Sequence, residues 1–360
     1  MNAAETVDTR VTQHNPPSKA LNLFAWFTAV STLVLISIGG LVTSHGVGMA
    51  VPDWPTTYGY NMFLFPISQW VGGIFYEHTH RLVASGVGFL TVILCVWFWV
   101  AEKRRWLKWM GRLALILVII QGVLGGLRVT MLKDEIGIFH GTLAQLFFLL
   151  TVFLAIVTTR SWRDLSAWRA FAPATAGLRN LVLITTILIF VQLMLGASMR
   201  HQHSGLAVPD FPLAHGRIYP KTDAETLQKY NLSRVDSRDF KPVTAAQVHL
   251  HMAHRAGAFL ITGFVFAVWL RMRRATLPRS FHILSRIWVA LILAQFALGV
   301  ATVLSNKAAD ITTMHVVGGA LSLCVGFTLV LLSKRHLWEH AQPLVAQRQN
   351  EPSAPQPLPA

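Results

Sequence analysis

Eight apolar runs, each near the length that crosses a bilayer, constrain this chain more than anything else in it. They are Leu23–Val42, Leu82–Val100, Leu113–Met131, Phe139–Val157, Leu181–Met199, Ala256–Leu270, Ile287–Val303 and Thr313–Leu332. A spanning helix needs about 20 mostly apolar residues. The expected fold is therefore an all-α integral membrane protein of eight transmembrane helices. The composition agrees, with 53% hydrophobic and 13% charged residues among 360.

The formal charge of +15 would suggest nucleic acid as a partner of a soluble protein. Here the basic residues sort by loop. Lys103, Arg104, Arg105, Lys108 and Arg112 follow the second run, and Arg160, Arg163, Arg169 and Arg179 follow the fourth. Arg271, Arg273, Arg274, Arg279 and Arg286 follow the sixth, and Lys334 and Arg335 the eighth. The loop from Ser44 to Thr79 has no Lys or Arg. The positive-inside rule then places both termini in the cytoplasm, with the bilayer rather than nucleic acid as the partner. No cleavable signal pattern opens the chain. Residues 1–20 and the Pro- and Gln-rich tail from Gln342 are expected to be disordered.

An internal repeat organises the chain. The segment 48-GMAVPDWPTTYG-59 matches 205-GLAVPDFPLAHG-216. His80-Arg81 matches His254-Arg255, and 121-QGVLG-125 matches 295-QFALG-299. His140 in 139-FHGTLA-144 pairs with His315 in 314-MHVVGGA-320. The later matches are further apart, owing to an insertion around Lys221–Lys241. Two four-helix bundles in tandem are expected, related by a pseudo-two-fold axis along the membrane normal. The corresponding units are 1–20 as N-terminal tail, 21–160 as first bundle, 161–178 as cytoplasmic linker, 179–335 as second bundle and 336–360 as tail.

Four histidines recur at repeat positions: His80, His140, His254 and His315. One in each half opens the second helix and the other opens the fourth, both near the outer face. Two imidazoles on facing helices are the usual cradle for a haem iron in a helical bundle. Zinc suits them less, since it wants three or four close ligands. Intramembrane histidines also serve as interhelical hydrogen bonders. Arginine favours charge-assisted pairing with propionates, which makes Arg81, Arg255 and Arg128 candidates, with His251 as a supporting group. The absence of C-x-x-C-H excludes covalent haem attachment. Cys95 and Cys324 read as small apolar fillers.

The halves differ at one place. Glu77 lies three residues before His80, on the same helical face, where the second half has His251. An ionisable group at membrane depth points to function, although an acid also suits a helix N-terminus. The two Pro-Asp-aromatic-Pro segments are either lids over the sites or turns of the fold.

The eight runs, the repeat, E-x-x-H-R at Glu77–Arg81 and the histidines at 140, 254 and 315 resemble the haem A synthase family over about residues 20–335. The resemblance implies an oxidoreductase of the bacterial inner (cytoplasmic) membrane acting on a methyl group. It implies oxidation of the C8 methyl of haem O to the formyl group of haem A, for cytochrome c oxidase, by successive hydroxylations with oxygen from water. It further implies His80 and His140 as ligands of the substrate haem, His254 and His315 as ligands of a haem B cofactor, and Glu77 as the catalytic acid or base. Haem O synthase (protohaem farnesyltransferase) and an electron acceptor are the partners it suggests. Some members carry a cysteine pair in an outer loop, which this sequence lacks. A di-haem cytochrome b-type electron carrier would use the same four histidines, and a transporter could use them structurally.

Overall fold

The computed structural model describes residues 18–163, 175–234 and 242–349, and of 163 and 336–349 the backbone alone. Among the described residues, eight helices are long and apolar enough to cross a membrane. They are α1 (Lys19–Ser44), α2 (Gly72–Ala101), α3 (Arg105–Thr130), α4 (Asp134–Val157), α5 (Ala176–His201), α6 (Ala245–Arg273), α7 (Arg279–Leu304) and α8 (Ala309–Gln349). No strand occurs among the described residues.

Helices α2 and α6 begin about three turns before their apolar runs. Both start in the polar outer region, where hydropathy is a poor guide to helix limits. A capping box starts α6, with the Thr244 side chain accepting from Gln247 N–H and the Gln247 side chain accepting from Thr244 N–H. Ser18 and Thr175 cap α1 and α5 in the simpler way. The early starts place His80 and His254 two turns inside their helices rather than at the openings.

Helix α8 continues to Gln349, so 342–349 is helical where composition suggested disorder. It does so despite Pro343, the residue type least suited to a helix interior. Residues 1–17, 164–174 and 350–360, where tail and linker were expected, lie outside the described residues. Part of the insertion folds as a short helix, Ala224–Leu232, whose N-terminal Thr226 N–H is capped by Asp223.

Helices α1, α4, α5 and α8 form the centre, each packed on the next around a ring. The pair α2–α3 packs on α1 and α4 on one side. The pair α6–α7 packs on α5 and α8 on the other. One apolar cluster gathers Leu94, Phe98, Leu107 and Leu154 from α2, α3 and α4. Another gathers Val182, Val265, Trp288 and Leu323 from α5, α6, α7 and α8. Ala29 and Ile36 of α1, Phe148 and Val152 of α4 and Ala320 of α8 join them at the centre. Large apolar side chains such as Phe89, Val100, Ile119 and Phe259 face outward, as lipid contact requires.

Candidate functional site: paired imidazoles beneath two outer loops

Each of the four recurrent histidines rests against a glycine of a neighbouring helix. A Cβ built on Gly39 (α1) would lie 3.1 Å from His80 Cε1, and one on Gly125 (α3) 3.5 Å from His140 Cε1. The same holds for Gly196 (α5) and His254 at 3.3 Å, and for Gly299 (α7) and His315 at 3.2 Å. A methyl would crowd the ring at Gly39, Gly196 and Gly299 and make ordinary contact at Gly125.

The imidazoles of His254 and His315 face each other, their ring centroids 6.4 Å apart and the planes inclined by 68°. His80 and His140 are close enough to interact electrostatically. In all four, Nδ1 is buried without a hydrogen-bond partner. Buried polar atoms are rarely left so, and four at equivalent positions require an explanation.

The carbonyls of three of these histidines accept a second hydrogen bond from a glutamine. Gln121 donates to His140 O at 3.2 Å, Gln192 to His254 O at 2.7 Å and Gln295 to His315 O at 2.6 Å. These glutamines and glycines are site features that motif reading passed over. The signal was present, since Gln and Gly recur four residues apart in 121-QGVLG-125, 192-QLMLG-196 and 295-QFALG-299.

Glu77 is buried and held at both oxygens. One accepts from Val51 N–H at 2.9 Å, and the other pairs with Arg81 at 2.8 Å. Arg81 also donates to the carbonyls of Val51 (2.7 Å), Asp53 (2.7 Å) and Thr56 (3.0 Å). Arg255 does the same to Val208 (3.0 Å), Asp210 (2.7 Å) and Leu213 (3.0 Å). Of five N–H donors each, Arg81 engages four in these bonds and Arg255 three. Arg128 is different. It lies 3.4 Å from Asp134, near both His80 and His140, and its buried Nε has no partner. His251, in the place of Glu77, has its Nδ1 3.1 Å from the carbonyl of Ser204. His203 has its Nε2 3.7 Å from Asp134.

The loops held by the two arginines share one construction. Thr57 pairs with Tyr60, and Ala214 with Arg217, across two-residue turns. Tyr58 and Gly59 have φ of 49° and 77°, and His215 and Gly216 have 49° and 72°. Two positive φ values in succession explain the glycine at the second place. Asp53 accepts from the N–H groups of Tyr58 (2.8 Å) and Gly59 (2.9 Å), and Asp210 from His215 (2.7 Å) and Gly216 (2.9 Å). Each Asp therefore closes a turn, and each Arg fastens that turn to a histidine-bearing helix. Trp54 packs so closely on Gly126 of α3 that a Cβ there would overlap its ring. Gly125, its neighbour, faces His140.

This arrangement coincides with a family match, since the profile of the COX15-CtaA cytochrome oxidase assembly proteins covers residues 22–327. The chain belongs to the COX15-CtaA family. The haem A synthase of Halalkalibacterium halodurans is 27% identical over 322 residues, 86% of this chain and 94% of that protein. That of Shouchella clausii is 26% identical over 88% of this chain and 98% of the relative. That of Shewanella oneidensis is 25% identical over 84% and 93%. As a member of this family the chain is a multi-pass membrane protein of haem A biosynthesis. Two pairs of buried imidazoles, with Glu77 three residues before a histidine of one pair only, are the feature of its structure to which such chemistry can attach.

Proposed function

We propose that this protein is a haem A synthase that oxidises the C8 methyl of haem O to a formyl group, giving haem A for cytochrome c oxidase. The oxidation proceeds by successive hydroxylations in which water supplies the oxygen. Each hydroxylation sends an electron pair to an acceptor and releases protons, and the final hydrate loses water. Both termini lie in the cytoplasm, and the halves 21–160 and 179–335 act as substrate unit and electron-relay unit.

His254 and His315 would hold the iron of a resident haem B. The fit rests on their spacing. The two imidazoles come from different helices with ring centroids 6.4 Å apart, close enough to share one metal ion, and this juxtaposition is the observation that carries the reading. The buried ring nitrogens without a protein partner support it, since these imidazoles are not committed to protein hydrogen bonds. When bound, haem B supplies one-electron redox chemistry.

His80 and His140 hold the substrate haem O in the first half. Arg128, with its unpaired donor beside both, is assigned to a propionate. Glu77 takes the proton of the attacking water on a lone pair that its bonds to Val51 N–H and Arg81 leave open. General-base help of this kind contributes about 10²–10⁴-fold. The Trp54 loop excludes bulk water above the site.

The test is haem extraction and mass analysis of the protein purified from cells with and without a haem O source. Haem A that appears only with the source supports the reading. Haem O recovered unchanged would instead favour an electron carrier.

A further inference from the structure

The four imidazoles are not held equally. The residue four positions before the supporting glycine is Gln192 before Gly196, Gln295 before Gly299 and Gln121 before Gly125, but Leu35 before Gly39. Residues four apart share a helical face, so glycine and glutamine address the same neighbouring helix. The carboxamides bond the histidine carbonyls at 2.7 and 2.6 Å in the second half and at 3.2 Å for His140. Leu35 has no donor to offer His80.

A second difference lies three residues after each histidine. The second half has Gly257 and Gly318, and the first has Val83 and Leu143. A Cβ on Gly257 would overlap Gln192 Oε1, and one on Gly318 would overlap Gln295 Oε1. These glycines make the room in which each carboxamide lies against the histidine's own turn. The second half thus has two complete clamps. The first has one longer bond without its glycine, and nothing on the His80 side.

Where no water can substitute for a lost partner, such a bond restrains the turn that carries the imidazole. A clamped turn cannot carry its ring away from a metal without breaking that bond. An unclamped turn can.

We propose that these clamps decide which haem stays. Gln192 and Gln295 are positioning residues that make the second half a retaining site, while Leu35 and Val83 leave His80 as the releasable ligand of an exchanging site. This rests on the proposed function, in which one haem is resident and the other must enter as substrate and leave as product.

The experiment mixes the purified protein, loaded in cells with a haem O supply, with excess apomyoglobin. Transfer is followed by absorbance, and the haem remaining is extracted and resolved into B, O and A. Haem O and haem A are expected to leave about tenfold faster than haem B, the scale of an interhelical hydrogen bond or more. Leu35→Gln is expected to slow the fast loss severalfold without changing haem B content. Gln192→Met, close in size but without the donor, is expected to speed haem B loss by about threefold to tenfold, and Gln295→Met to do the same should the first variant fail to fold. Haems lost at equal rates, or rates unmoved by all three variants, would overturn this proposal alone. A colourless protein before the challenge would overturn the functional reading and this inference with it.

Discussion

Arg81 pairs with Glu77 one turn earlier on α2 at 2.8 Å, while its other bonds hold the carbonyls of the loop above. The same guanidinium therefore links the acid beside His80 to the cover of that site. In the second half Arg255 keeps the loop bonds, but His251 replaces the acid. The fold needs the arginine twice and the carboxylate once, which is why Glu77 is assigned to chemistry.

Glu77→Gln keeps an acceptor for Val51 N–H and removes the charge. Haem content should match the wild type, and haem A formation should fall by about 10²-fold or more. Extracted pigment from the purified variant measures both. Wild-type haem A would remove Glu77 from the mechanism.

Arg81→Ala and Arg255→Ala should destabilise unequally. The first strands a buried carboxylate, which costs about 3–5 kcal/mol. The second leaves loop carbonyls short of a charged donor, about 1.5–3 kcal/mol. Thermal unfolding in detergent should show the larger fall in Tm for Arg81→Ala. Equal falls would mean that the Glu77 pair adds nothing.

The outer loops should loosen in acid. Burial works to raise the Asp53 carboxyl, but Gly59 N–H, the Thr56 hydroxyl and Tyr58 N–H outweigh it and hold it below the usual carboxylate value. Asp210 behaves alike, with burial opposed by Gly216 and His215 N–H. Because the folded value is the lower one, ionisation stabilises each turn above the unfolded value of about 3.9 and the gain disappears as pH falls through the folded value. Trp54 fluorescence should therefore change below about pH 4, and Asp53→Asn should flatten that change. An unaltered acid limb in the variant would contradict this account of the turn.

Gly299→Ala should displace His315, because the new methyl would stand 3.2 Å from Cε1 with helix backbone behind it. Gly177 has nothing within 4 Å of its Cβ position and serves as control. The first variant should lose haem B and the second keep it, as read from the reduced absorption spectrum. Equal haem content in both would remove the cradle from the argument.

Much of this architecture was legible in the sequence, because hydrocarbon imposes a length and a polarity that composition records directly. The apolar runs located all eight helices, and the repeat paired His80 with His254 and His140 with His315. The early starts of α2 and α6 were hidden, since helix in the polar zone depends on caps such as Thr244 and Gln247 rather than on hydropathy. The bonds of Arg81 and Arg255 to the carbonyls of Asp53 and Asp210 were hidden because they join residues far apart in the chain. The role of those aspartates was hidden for a related reason, since each accepts from N–H groups five and six residues further on, beyond the reach of a local turn motif. The glutamine clamps were the least legible, being contacts between helices whose one local trace is a four-residue spacing.

The most direct test removes one ligand from each half and asks which haem goes. His254→Ala and His80→Ala are purified from cells supplying haem O, and their haems are extracted and weighed by mass spectrometry. The account predicts that His254→Ala loses haem B, while His80→Ala keeps haem B and loses haem O and haem A. Loss of the same haem from both variants, or of none from either, would contradict it.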